Sequence, residues 1–220
     1  MVLLVLTTLM ISIIAVLGQI VVAQTAQINR AQNPLMQTMV TWHAGSVVLV
    51  HTTPPVFPGV PSACWLTPSP TASGFVLPTS YGFSPCLTSG GTAVTMAATD
   101  LSPGYNMVDF SFYSIAFQSN SSDYVLTFVP PPATGSSGLV ALPAAGAGSF
   151  TPGYTMGDLM TQFARAVPTD VAYGVVKSNG LFQQISSGDN GMNGANGANT
   201  SYAIPATIPV GAIGIISAGN

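Results

Sequence analysis

Glutamate is absent, and the 220-residue chain carries three cations, Arg30, Arg165 and Lys177, against six aspartates. Charged residues make up 4% of the sequence, where soluble domains carry about 25%. So few cations cannot neutralise a run of phosphates, which excludes a nucleic-acid binder. They equally exclude a protein held to a membrane surface by charge alone. Disorder is excluded from the other side: 48% of the residues are hydrophobic and the net charge is only −3, the reverse of the disordered composition. No G-x-x-x-x-G-K stretch, no G-x-G-x-x-G opening a helix and no G-x-S-x-G elbow occurs, so neither a phosphate cradle nor a hydrolase nucleophile is signalled.

General acid–base chemistry is short of side chains too. The two histidines, His43 and His51, stand eight residues apart. On a helix that is roughly 80° of azimuth and two turns of height, a poor arrangement for one metal. Both are expected to be interfacial or exposed polar residues. Asp158 reads as a helix-capping residue, and Asp100 and Asp123 as turn residues. The cysteines, Cys64 and Cys86, lack C-x-x-C spacing and have no histidine pair beside them, which argues against zinc. No metal, cofactor or catalytic set is expected. An even cysteine count in an extracytoplasmic domain suggests instead a disulfide between Cys64 and Cys86. Two buried free thiols are the alternative.

What is present begins with an apolar amino end. Met1 to Val22 has no charged residue; its polar members are Thr7, Thr8, Ser12 and Gln19. As helix, such a stretch reaches roughly 33 Å, enough for a bilayer core. The cleavable-signal alternative expects a basic n-region and a shorter apolar run, neither of which is here. An uncleaved transmembrane helix over 1–23 is therefore expected, with Thr7, Thr8, Ser12 and Gln19 available for helix–helix contacts in the bilayer. A helical stalk over 24–53 follows, kinked near Asn33-Pro34. Its second helix, Leu35 to about His51, has Met36, Val40, His43, Val47 and Val50 on one face. The β-rich run Ser46–His51 leaves a strand as the alternative.

Residues 54–220 are expected to form one α+β extracytoplasmic domain. Its first part, 54–118, reads as loop-rich, with Phe57, Trp65, Phe75, Tyr81 and Phe83 wanting burial. Phe110–Gln118 and Asp123–Val129 read as strands around an Asn120-Ser121-Ser122 turn. Thr155–Val167 reads as a helix with a capping-box-like Thr155…Asp158 start, a stripe of Met156, Leu159, Met160 and Phe163, and Arg165 in its last turn. Val171–Lys177 and Leu181–Ser186 read as a hairpin on Asn179-Gly180. Asn190–Asn199 is an Asn-Gly triplet repeat, read as a loop, and Ile204–Ile216 is an extended apolar segment. The fold class expected is α+β: an N-terminal transmembrane or extended helix, then a small β-rich domain with one helix packed on an antiparallel sheet.

Five stretches carry a family resemblance. They are M-V-T-W-H-A-G-S-V-V (Met39–Val48), the run from Tyr124-Val125 through Pro132, the helix Met156–Ala164, V-A-Y-G-V-V-K-S-N-G-L-F (Val171–Phe182) and I-P-A-T-I-P-V-G-A-I (Ile204–Ile213). The chain resembles the PilM family of type IVb pilus biogenesis proteins encoded by conjugative-plasmid thin-pilus operons. The likeness spans 1–50 loosely and 120–220 more fully. The cysteine-bearing middle, 54–118, and the Asn-Gly repeat depart from it. The resemblance implies a non-enzymatic inner-membrane protein with its bulk in the periplasm. It would act through contacts with other pilus-assembly proteins or pilin, and association with further copies of itself is compatible. A pilin-like subunit of an extracellular filament is the alternative, although Val5 stands where bacterial pilins usually carry a glutamate. A secreted enzyme or binding domain is a third reading, without a site to support it.

Overall fold

A computed structural model describes residues 38–57, 62–69, 77–97, 112–119, 121–131, 139–140, 154–167, 171–185 and 200–219. The expected membrane helix and the first half of the stalk lie outside them. No helix among the described residues is long and apolar enough to cross a membrane.

The architecture is mixed α/β, dominated by one large and mostly antiparallel sheet. Helix α1 covers residues 38–52. Strands β1 (Ala63–Ser69), β2 (Ser84–Pro85), β3 (Thr95–Ala97), β4 (Tyr113–Ser119) and β5 (Ser122–Val129) follow. A small separate ribbon, β6 (Leu139–Val140) with β7 (Tyr154–Thr155), leads into α2 (Met156–Ala166). Then come β8 (Tyr173–Ser178), β9 (Leu181–Gln184), β10 (Ser201–Ala203) and β11 (Ile213–Ala218). The sheet runs β10-β9-β8-β11-β5-β4-β1-β2, with β3 following β2 along the outer edge of β1. Only the β1–β2 and β1–β3 pairings are parallel. The carboxyl-terminal strand is thus central, between β5 and β8.

Both faces of this sheet are covered, and alternation sorts the side chains cleanly. Cys64, Leu66, Ala116, Val125, Val129, Ile213 and Ile215 face the helices, in two adjoining clusters with Met39, Trp42 and Val50 of α1, Leu159 and Phe163 of α2, and Val167 just beyond α2. Trp65, Ile115, Phe117, Tyr124, Leu126, Phe128, Ile216, Phe182 and Tyr202 face the other way. That second face is concave. Tyr124 on β5 and Tyr202 on β10 are four strand positions apart, roughly 19 Å in a flat sheet. Their ring centroids lie 6.2 Å apart. The curl passes through Gly174 and Gly214, which pair directly across β8 and β11. A Cβ on Gly174 would stand 2.0 Å from the Gln183 carbonyl oxygen, and one on Gly214 would stand 2.5 Å from that of Thr127. Glycine is what lets the strands bend so tightly.

Among the described residues two helices, not one, pack on the sheet. Residues 38–52 belong to the core: Met39, Trp42, His43, Ser46 and Val50 are buried. The second half of the expected stalk is therefore part of the globular unit. The segment is helical although rich in β-branched residues, which are weak helix formers. Tertiary packing decides its conformation, so the strand alternative for 46–51 is not realised. The buried face is turned from the expected stripe, leaving Val40 and Val47 only partly covered. Pro54-Pro55 follows the last turn, which Thr52 closes by donating its hydroxyl to the Val48 carbonyl at 2.9 Å.

The expected hairpin is formed: Ser178 pairs with Leu181 around Asn179-Gly180, with Gly180 at φ +75°. The β4–β5 turn and α2 also stand where periodicity placed them. Asp123 lies within β5 rather than in the turn, where Gln118 Nε2 donates to its carboxylate at 3.1 Å. Ile204–Ile216 is not one extended segment. Two turns, Ile208 N–H to the Pro205 carbonyl and Ala212 N–H to that of Pro209, both 3.1 Å, precede β11. Strand β1 lies within the stretch that reads from the sequence as loop-rich.

Cys64 and Cys86 form a disulfide, with Cα atoms 4.8 Å apart and 22 residues between them in sequence. It fastens the short parallel strand β2 to β1, beside the hydrogen bond from Cys86 N–H to the Trp65 carbonyl (2.9 Å). On the chain-entropy account a loop of this size contributes about 3 kcal/mol. A Cys64→Ala, Cys86→Ala double variant is expected to lose about that much stability in urea unfolding. Both thiols of the unmodified chain should resist alkylation until a reductant is added.

Candidate functional site

The described residues hold one cluster of chemistry-bearing side chains, between α1 and the middle of the sheet. Its parts arrive from four elements. Alternation turns Ser114 (β4), Thr127 (β5) and Ser217 (β11) to the helical face, and Ser114 is the direct cross-strand partner of Thr127. Helical spacing sets Trp42 and His43 of α1 over them. The Trp42 indole N–H donates to Ser114 Oγ at 2.7 Å. Ser114 Oγ and Thr127 Oγ1 share a hydrogen at 2.5 Å. Thr127 Oγ1 is 2.9 Å from His43 Nδ1, and Ser217 Oγ is 2.9 Å from His43 Nε2. The chain of bonds runs unbroken from the indole to the far side of the imidazole.

His43 is 4% exposed, so the expectation of an interfacial or exposed histidine is corrected. It is a core residue, satisfied at both ring nitrogens. Desolvation by burial lowers its pKa from 6.5 to about 3, so the imidazole is neutral at ordinary pH. A hydroxyl can accept a hydrogen bond from either protonation state. Among the described residues none offers this ring a counter-charge, and a buried charge without one is costly. His51, in the last turn of α1, is exposed, as anticipated for it.

A serine hydroxyl against a histidine Nε2 invites comparison with a catalytic dyad. Here Thr127 stands where an orienting carboxylate would be, and a hydroxyl cannot stabilise a forming imidazolium as an anion does. The depressed basicity of His43 further disfavours proton abstraction from Ser217. The arrangement fastens a helix to a sheet.

Elsewhere, Ser62, Phe117, Gln118, Ser119, Ala203, Ile204 and Pro205 line a shallow surface cleft of about 160 Å³, where the curled sheet brings β10 towards the end of β4. It holds no ionisable group. The buried Trp65 Nε1 has no hydrogen-bond partner. Its ring sits among Tyr81, Phe83, Tyr113 and Phe128, with centroids 5.3 to 6.4 Å away. Among the described residues no three His, Cys, Asp or Glu side chains converge as a metal site would need. Thr7, Thr8, Ser12, Gln19 and Asp100 lie outside the described residues, and α2 carries Asp158 in its first turn.

No family model, curated protein or solved structure matches the chain.

The low pKa of His43 fixes a pH dependence. Between pH 6.5 and about 3 the unfolded chain binds a proton at His43 that the folded chain does not. Stability therefore rises with pH across that window and is lost as pH falls, by about 1.4 kcal/mol per unit. Urea unfolding at pH 7, 6, 5 and 4 should show this slope, and His43→Gln, which cannot be protonated there, should flatten it.

Proposed function

We propose that the chain is a non-enzymatic, membrane-anchored component of type IVb pilus assembly, of the PilM kind, working through protein–protein contacts outside the cytoplasm. The observation that carries this reading is the fastening of α1. A largely buried polar cluster of five side chains is spent on holding that helix to the sheet, which suits a scaffold. Helix α1 also follows the apolar stretch Met1–Val22 in sequence. With that stretch in the inner membrane, its Thr7, Thr8, Ser12 and Gln19 would meet neighbouring helices, and a firmly held α1 would keep the periplasmic domain at the bilayer. The resemblance at Tyr124–Pro132, Val171–Phe182 and Ile204–Ile213 supports the family. Cys64–Cys86 suits an oxidising compartment.

The filament-subunit reading is favoured by a different observation. Residues 38–57 contain no Asp, Glu, Lys or Arg, and Ala44, Val48, His51 and Thr52 are exposed on the outer side of α1. An uncharged helix lying along a sheet could pack against its own kind without charge repulsion.

Native cells decide between the two. They would be sheared, filaments and membranes pelleted apart, and the amino-terminal residue in each read by mass spectrometry. An unprocessed, low-copy chain confined to membranes is the expected result. An abundant, leader-processed chain in filaments would make it a structural subunit. A chain free in the medium without its first ~24 residues, the length of a secretory signal, would overturn both.

A further inference from the structure

We infer that α1 is an acid-released latch: protonation of His43 frees the helix from the sheet while the sheet itself stays folded. The inference does not depend on the pilus reading.

The geometry concentrates the connection in one ionisable side chain. The indole bond to Ser114 links helix α1 to one central strand, and His43 links it to two, through Thr127 on β5 and Ser217 on β11. Among the described residues, none beside this ring would compensate a charge placed on it. Helix α1 carries no acid, and its other histidine, His51, is exposed. On β5 the acid sharing the face is Asp123, engaged with the Gln118 amide. Neither β4 nor β11 contributes an acidic or basic side chain. On β1 and just beyond β2, Cys64 and Cys86 are bonded to each other. Tyr173 of β8 lies on this face beside α2, Lys177 is exposed, and of the charged residues of α2 Arg165 is exposed.

The protonated ring gains solvation only by leaving, and the helix is the part able to leave. Ladder hydrogen bonds and the opposite aromatic core hold β4, β5 and β11 together without it. Helix α1 depends on its packing, since its β-branched sequence gives little intrinsic helicity. Ser217 is part-exposed, so water has a route to the Nε2 side. Release would bare apolar residues on the helical face of the sheet and uncouple the sheet from whatever the preceding segment is attached to.

Peptide-resolved hydrogen exchange on the full chain between pH 6.5 and 4 tests this. Peptides from 38–52 should lose protection about tenfold per pH unit, the effect of one proton bound only in the open form. Peptides from β4 and β5, which open only in global unfolding, should stay better protected than 38–52 by a gap that does not change with pH, since global unfolding frees His43 as well. In His43→Gln the α1 protection factors should stay level over the same range. Equal protection in α1 and the sheet, the mark of a single cooperative opening, would overturn the inference, as would pH-independent protection of α1. Both comparisons are read on the unsubstituted protein, so they stand even where the variant does not fold. A pH-dependent loss persisting in a folded His43→Gln chain would also overturn it.

Discussion

The domain is organised by the contact between α1 and the centre of the sheet, and that contact is made of neutral hydrogen bonds. Burying an indole N–H, an imidazole and three hydroxyls costs free energy unless each finds a partner. Here each does, in a chain through Ser114 and Thr127 to His43 and Ser217. Each bond is worth only about 1 kcal/mol net, but an orphaned member would cost more than that. The network therefore selects one position and rotation of the helix. Around it Met39 and Trp42 pack with Val129, Ile213 and Ile215, and Val50 with Cys64, Leu66 and Val125. Met96 of β3 reaches the same helix, accepting from the Ser46 hydroxyl at 3.3 Å.

The scarcity of charge has a structural counterpart. A sheet covered on one face by helices and curled round its own aromatic residues on the other has few positions that must be solvated. Alternation then separates two apolar sets instead of an apolar from a polar one. Trp65, Ile115, Leu126 and Phe128 fill the concave side while their neighbours Leu66, Ala116, Val125 and Val129 fill the helical side. The short outer strands β2 and β3, too brief to hold themselves, are fixed by the disulfide and by contact with α1.

How legible each part was in the sequence followed from how local its determinants are. The β8–β9 hairpin is set by Asn179-Gly180, and the β4–β5 hairpin by a short turn between aromatic runs. Helix α2 is marked by a stripe and a following proline. All depend on neighbours within a few residues. Strand β1 depends on partners about fifty residues away in β4. Being buried on both faces, its Ala63-Cys64-Trp65-Leu66 shows no alternation to read. The burial of His43 is hidden in the sequence for the same reason. A lone histidine on a helix is ordinarily exposed, and its partners are 84 and 174 residues distant. A signal did exist. Ser114, Thr127 and Ser217 each sit between apolar residues in a strand, and α1 offers no charge, so polar groups on that helix had to find one another.

The choice of hydroxyls over a carboxylate shapes how the domain answers to pH. An aspartate at the place of Thr127 would pair with an imidazolium, raise the histidine pKa and hold the helix more firmly in acid. Hydroxyl partners serve the neutral ring well and leave its protonated form uncompensated, so the contact weakens in one direction only. At the other end of the scale, burial raises the pKa values of Tyr81, Tyr113 and Tyr124, with Tyr113 also raising that of Tyr81. The unfolded chain gives up those protons first, so stability falls again once pH passes the ordinary tyrosine range, about 10. The two limits fall on opposite faces of the sheet. Acid acts on the helical side through His43, and base acts on the concave side through the tyrosines. With so few other ionisable groups to blur the response, pH selects which layer of the domain gives way.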